Sequence, residues 1–160
     1  MQRRNIVLGL VFGVLFLVPG GVAAQSANKH VNPAGLSKPN GYTHVVIAQP
    51  GSTIYLSGQV ALDDKSNLIG AGDMKAQTKQ VFENLKTALA AAGGSFADVV
   101  KITFYVTDVT QIQKIREVRD QYVQGEPPAS TLLEVKALVR PEFMIEVDAV
   151  AVIPAKSGSL

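Results

Sequence analysis

The chain has 160 residues, 47% apolar and 18% charged, with no cysteine and a formal net charge of +2. That length fits one domain with room for a core, and the composition excludes a disordered chain. The absence of cysteine excludes a disulfide framework, a thiolate metal site, a lipoprotein anchor and a cysteine nucleophile.

Residues 1–24 have the layout of a secretory signal peptide. Arg3 and Arg4 form a positive start, residues 6–18 are an unbroken apolar or glycine run, and Pro19-Gly20-Gly21 breaks the helix. Val22-Ala23-Ala24 then offers the small residues that a signal peptidase reads. The alternative is an uncleaved membrane anchor. A spanning helix needs roughly 20 apolar residues, however, and this run stops short of that. The expected location is therefore periplasmic or secreted, with no membrane contact after signal removal. Losing Arg3 and Arg4 leaves 13 basic residues against 13 acidic ones, so the basic character belongs largely to the leader. No basic stripe remains, and no nucleic-acid partner is expected.

Residues 25–40 are rich in Asn, Ser, Pro, Gly and Lys and read as a flexible lead-in to a domain over residues 41–154. Residues 42–48 form a first expected strand. Pro50-Gly51-Ser52 is a turn, and residues 53–62 form a second strand, interrupted by Gly58. A glycine inside a strand often marks a bulge. Asp73 is placed to cap a helix running to Ala92, with Ala76, Val81, Leu85, Ala88, Leu89 and Ala92 at helical spacing. Gly93-Gly94 stops it. Residues 99–106 alternate as a third strand. Asp108 or Thr110 caps a second helix to about Val123, with Ile112, Ile115, Val118 and Tyr122 facing the core, and Gly125, Pro127 and Pro128 end it. Residues 131–137 and 143–153 complete the strands, with a turn at Arg140-Pro141 and a tail over residues 155–160.

The order β-β-α-β-α-β-β predicts an α+β domain: a single mixed sheet with two helices packed on one face. Its other face then needs cover. Alternating apolar residues in the third and last strands suggest that copies of the chain supply it.

Four stretches in this order resemble the RidA family, the reactive intermediate deaminases also called YjgF-like or endoribonuclease L-PSP proteins. They are Ile54-Tyr55-Leu56-Ser57-Gly58-Gln59-Val60; Gln77-Thr78 through Lys86 to Gly93-Gly94; Asp98-Val99-Val100-Lys101 with Tyr105-Val106-Thr107-Asp108; and Pro128-Ala129 with Glu134-Val135, then Ile145 to Ala151. The resemblance covers nearly all of residues 42–152. It implies a chorismate-mutase-like fold, a homotrimer with ligand clefts between subunits, and hydrolysis of small enamines and imines such as 2-aminoacrylate to a ketoacid and ammonia. It implies neither a metal nor an organic cofactor.

The chemistry explains which positions matter. A guanidinium fork holds a small carboxylate by two parallel hydrogen bonds. Hydroxyls and an acid then hold water against the imine carbon. By resemblance, Tyr42 and Ser57 match the family's cleft tyrosine and serine, although a hydroxyl beside a glycine bulge also commonly bonds backbone. Asp148 falls where deaminating members carry glutamate; the alternative is a solvated strand residue. Ser130, in Pro128-Ala129-Ser130-Thr131, stands where the family has its carboxylate-binding arginine, and Leu132 stands at a family cysteine. Arg116 falls on the second helix where many members have asparagine. It either replaces the missing charge or is a solvated surface arginine. Arg140 is a weaker candidate for the same role. His30 and His44 lack a carboxylate cluster, so no metal site is expected. Lys101, Lys114 and Lys136 are taken as surface lysines.

Two functions remain. One is hydrolysis of a small imine or enamine, with weak or no action on standard 2-iminoacids. The other is a non-catalytic small-ligand-binding or chaperone-like trimer. Ribonuclease action is disfavoured by the near-neutral mature charge. The leader predicts a mature start near Gln25. N-terminal sequencing of exported protein checks it, and recovery of only full-length chain in membranes would refute it.

Overall fold

The computed structural model describes residues 28–155, so the expected leader and residues 156–160 lie outside the described residues. The elements are β1 (Lys29–Val31), β2 (Val45–Ile47), β3 (Gly51–Gln59), α1 (Met74–Ala91), β4 (Val99–Val106), α2 (Ile112–Tyr122), β5 (Ala129–Glu134) and β6 (Ile145–Pro154).

α1 starts where its cap predicts. The Asp73 carboxylate accepts from the backbone N–H of Lys75 at 2.9 Å and of Ala76 at 3.2 Å. Its buried face carries Met74, Val81, Phe82, Leu85 and Leu89, together with two polar residues, Gln77 and Thr78. Of the positions expected from helical spacing, Val81, Leu85 and Leu89 are buried. Ala92 is in fact exposed, and Phe82 is the larger anchor, packed against Phe96, Phe104 and Tyr122. The buried polar pair is tolerated because its groups are satisfied. The Thr78 hydroxyl donates to Met74 O at 2.6 Å. Gln77 Nε2 donates to Glu142 O at 2.9 Å, and Gln77 Oε1 accepts from Met144 N at 2.8 Å. One side chain thus docks the entry to β6 onto α1. For α2, Asp108 is the cap: it opens a 3-10 turn, Val109–Gln111, that leads into the helix.

The main sheet has four strands in the order β3-β6-β4-β5. β4 and β5 are parallel and the other pairs antiparallel. A parallel pair requires a crossover, which α2 supplies. Both helices cover one face, where Ile102, Phe104, Val147 and Ala149 join Phe82, Leu85, Ile115 and Val118 in one core. The expected α+β fold, with two helices on one face of a mixed sheet, is present.

Two expectations change. The first strand does not join this sheet. It shortens to β2 and pairs antiparallel with β1, Lys29 opposite Ile47, in a separate two-stranded ladder. β1 comes from the segment read as a flexible lead-in. Its composition hid a staple in which the Asn28 and Asn32 side chains accept from the backbone N–H of Gln49 (3.0 Å) and His44 (2.9 Å). The uncovered face also differs from expectation. Ile102, Phe104 and Val106 of β4 and Ile145, Val147 and Ala149 of β6 turn to the helices, and Lys101, Thr103 and Tyr105 lie across from Val150, Asp148 and Glu146 on the open side.

Replacing Gln77 by Leu keeps the volume but strands the Met144 N–H and the Glu142 carbonyl. The expected loss is about 2–4 kcal/mol in urea unfolding with an unchanged slope; a loss under about 0.5 kcal/mol would contradict this role.

Candidate functional site

The first cluster lies between α2 and β5. A cavity of about 240 Å³ is lined by Tyr42, Arg116, Arg119 and Ser130, with Phe104, Ile112, Ile115 and Leu132 forming its apolar wall and Asn40-Gly41 its rim. β5 aims Ser130 and Leu132 there because they pair with Ile102 and Phe104, on the helix-covered face. Tyr42 is clamped on both sides. Before it, Gly41 adopts φ +76°, and its carbonyl accepts from Arg119 Nη1 at 3.1 Å. The positive φ favours glycine, and a Cβ at Gly41, 2.4 Å from Arg119 Nη2, would also push the guanidinium off this carbonyl. After it, the Thr43 hydroxyl donates to Pro127 O at 2.6 Å and its N–H to Pro128 O at 3.1 Å. The Tyr42 ring meets His44 edge-on, with centroids 5.1 Å apart.

Arg119 precedes the end of α2 by one turn and is only 14% exposed along its side chain. Its Nε and Nη2 donate to Asp120 Oδ1 at 2.8 and 2.6 Å. Arg119 was not singled out in the sequence. Its spacing of three from Arg116, which puts both on one helix face, was the available signal. No carboxylate among the described residues forms an ion pair with Arg116.

The second cluster lies on the open face of the sheet. Asp148 sits opposite Thr103, with Lys101 and Tyr105 as its diagonal neighbours on β4. The Tyr105 hydroxyl donates to Asp148 Oδ2 at 3.1 Å, and this bond, with the carboxylate's charge, raises the phenol's pKa. The Lys101 amine donates to the Thr131 hydroxyl; burial lowers its pKa, while Asp148 pulls the other way. Lys101 is thus a braced neighbour of Asp148 rather than a free surface lysine. By alternation from Tyr55, which is 80% exposed, Ser57 belongs to this face. It sits at the expected bulge, where the register with β6 slips between Leu56 and Gln59. Gly58 leaves room there for the Glu146 carboxylate, whose Oε1 would lie 2.0 Å from a Cβ and would have to swing aside for any larger residue.

Tyr42, Ser130 and Arg116 therefore come together, while Ser57 and Asp148 lie on the opposite face of the sheet. Arg140 is engaged elsewhere, with Glu142 at 2.6 Å and the Phe143 ring at 4.8 Å. His44 Nε2 is 2.8 Å from Ser37 O, and His30 Nδ1 is 3.1 Å from Glu126 without hydrogen-bond geometry. Among the described residues, no cluster of His, Asp and Glu is arranged to hold a metal.

Residues 34–153 match the family model of endoribonuclease L-PSP. The chain belongs to that family. This L-PSP family member is 40% identical over 111 residues to protein DfrA of Myxococcus xanthus, covering 69% of this chain and 84% of DfrA. It is 40% identical over 101 residues to a RutC family protein of Pyrococcus horikoshii, covering 63% and 79% of the two chains. Among solved structures it resembles the Rid family protein YyfB of Yersinia pestis, with a TM-score of 0.75, 34% identity, and coverage of 80% of this chain and 100% of that one. RidA of an Antarctic Psychrobacter gives a TM-score of 0.60 at 32% identity, with 73% and 92% coverage. The two-helix, mixed-sheet fold is shared with these two solved structures.

Proposed function

We propose that this chain is an exported Rid-type protein that binds or hydrolyses a small reactive imine, enamine or related metabolite. Its cleft is completed by a second copy of the chain within a homotrimer. The observation that carries the reading is the division of the family-matching residues. Tyr42, Ser130 and Arg116 meet at one cavity, and Ser57 and Asp148 stand on the far side of the same sheet. A site using both halves needs two chains. The open face of the sheet, with Tyr55 and Leu133 exposed beside its polar centre, is the surface that a second copy would meet. Export rests on the leader-like residues 1–24.

In hydrolysis, water adds to the imine carbon, the carbon–nitrogen bond breaks, and ammonia leaves a carbonyl product. Asp148 is suited to take and return the proton. Tyr105 holds one of its oxygens, leaving the other for water, and the Ser57 hydroxyl is suited to orient that water. Ser130 supplies neither charge nor fork where the family's arginine stands, and Asp148 is one methylene shorter than glutamate. Losing a bidentate charged contact costs a few kcal/mol, on the order of a hundredfold in efficiency. Weak or no turnover of standard 2-iminoacids follows. The same substitution, with Leu132 contributing no reactive side chain, favours a second reading, a non-catalytic small-ligand-binding trimer.

Ammonia release from freshly generated 2-iminopropionate tests the proposal. The wild type should be slow, and Ser130→Arg should raise turnover by roughly a hundredfold. Arg116→Ala should abolish residual activity, whereas Ser130→Ala should barely change it. Rapid wild-type turnover that neither alanine change alters would sink the reading.

A further inference from the structure

An asparagine followed by glycine is poorly shielded against its own backbone, because glycine has no Cβ to crowd the approach of its nitrogen to the side-chain amide. The chain has one such pair, Asn40-Gly41, where the lead-in segment meets the domain. The fold leaves this pair open. Asn40 is exposed and lies in a bend. Among the described residues, neither its side-chain amide nor the Gly41 N–H has a hydrogen-bond partner; what Arg119 holds is the Gly41 carbonyl. The other asparagines among the described residues are held or blocked. The Asn28 side chain accepts from Gln49 N, and Asn67 Nδ2 donates to Asp63. Asn84 Nδ2 donates to the Val60 and Leu62 carbonyls, and the following nitrogen, of Leu85, lies inside α1. Asn32 precedes Pro33, whose nitrogen carries no hydrogen to lose.

We infer that Asn40 is a site of spontaneous deamidation that recharges the rim of the cavity between α2 and β5. The Gly41 nitrogen attacks Asn40 Cγ and gives its proton to solvent. The new carbon–nitrogen bond closes a five-membered imide, and the side-chain nitrogen leaves as ammonia. Water then opens either carbonyl of the imide, giving aspartate or isoaspartate. The sum consumes a water and releases an ammonia, with no enzyme, oxidant or cofactor. The consequence follows from where Asn40 stands. It rims the cavity that Arg116 and Arg119 line, so either product adds a carboxylate beside two guanidinium groups. The isoaspartyl product also routes the backbone through the side chain. That adds a methylene directly before Gly41, whose carbonyl is pinned by Arg119, and just ahead of Thr43, pinned at Pro127 and Pro128. The segment holding Tyr42 must then give up a contact or carry strain. A slow chemical event thus changes both the charge and the shape of the rim, whether or not the cavity is part of a catalytic cleft.

Ageing the intact protein in mildly alkaline buffer tests this. Peptide mapping by mass spectrometry, with enzymatic methylation of isoaspartate, should find the amide-to-acid change at Asn40 at least about tenfold faster than at Asn28, Asn32, Asn67 or Asn84. The rate should rise with pH, since the attacking nitrogen must lose its proton, and should be no slower in the folded protein than in urea. Asn40→Gln should suppress the acidic form seen on ion exchange, because its longer side chain closes a less favourable ring. The isoaspartyl fraction should melt below Asn40→Asp, which adds the charge on a backbone of normal length. An Asn40 that survives in the folded protein while the urea-unfolded chain converts overturns the inference, as does faster conversion at another asparagine. Equal melting of the isoaspartyl fraction and Asn40→Asp overturns the effect on the Tyr42 segment.

Discussion

The two-residue period of β4 governs how this protein presents its chemistry. β4 is paired on both sides, parallel to β5 and antiparallel to β6, so a single alternation is imposed across three strands. Ile102 carries Ser130 and Ala149 with it to the helix-covered side. Thr103 carries Thr131 and Asp148 to the open side. A slip of one residue would exchange the two sets and bury Lys101 and Asp148 under the helices. The hydrophobic cost of that exchange is what locks the register. The same lock forbids Asp148 and Ser130 from meeting within one copy.

The helix side is organised for placement as well as for burial. Gln77 ties the start of β6 to α1, and the Tyr122 hydroxyl donates to Glu83 at 2.6 Å, tying α2 to α1. With α2 fixed, Arg119 seats Gly41, and the Pro127-Pro128 turn seats Thr43. The turn that holds Thr43 also leads directly into Ser130, so Tyr42 and Ser130 share one support. The cavity between them is therefore framed by backbone carbonyls and one guanidinium.

Much of this was legible in the sequence. The Asp73 cap, the strand over Val99–Val106, the bulge at Gly58 and the grouping of two helices on one face followed from local signals that tertiary packing did not override. What was missed has physical reasons. β1 was hidden because its ladder is stapled by Asn28 and Asn32, residues that in sequence read as loop. Gln77 and Thr78 were hidden because a buried polar side chain is recognised only by its partners, and those of Gln77 lie far away in the chain. Arg119 was legible in principle from its spacing to Arg116. Its role depends on Gly41, 78 positions away, which no periodicity reveals. The open face was misjudged because alternation in a strand shows that there are two faces and not which one the helices take.

The central claim is that the Ser130 wall of one copy and the Asp148 wall of another form one cleft. The cysteine-free chain makes a direct measurement clean. Chains carrying Ser130→Cys and chains of distinguishable mass carrying Asp148→Cys are mixed, reassembled and treated with a short bismaleimide. The account predicts a covalent hybrid of the two chains in high yield, with little cross-linking in either variant alone. Exclusively monomeric chains after treatment of the mixed sample would contradict it.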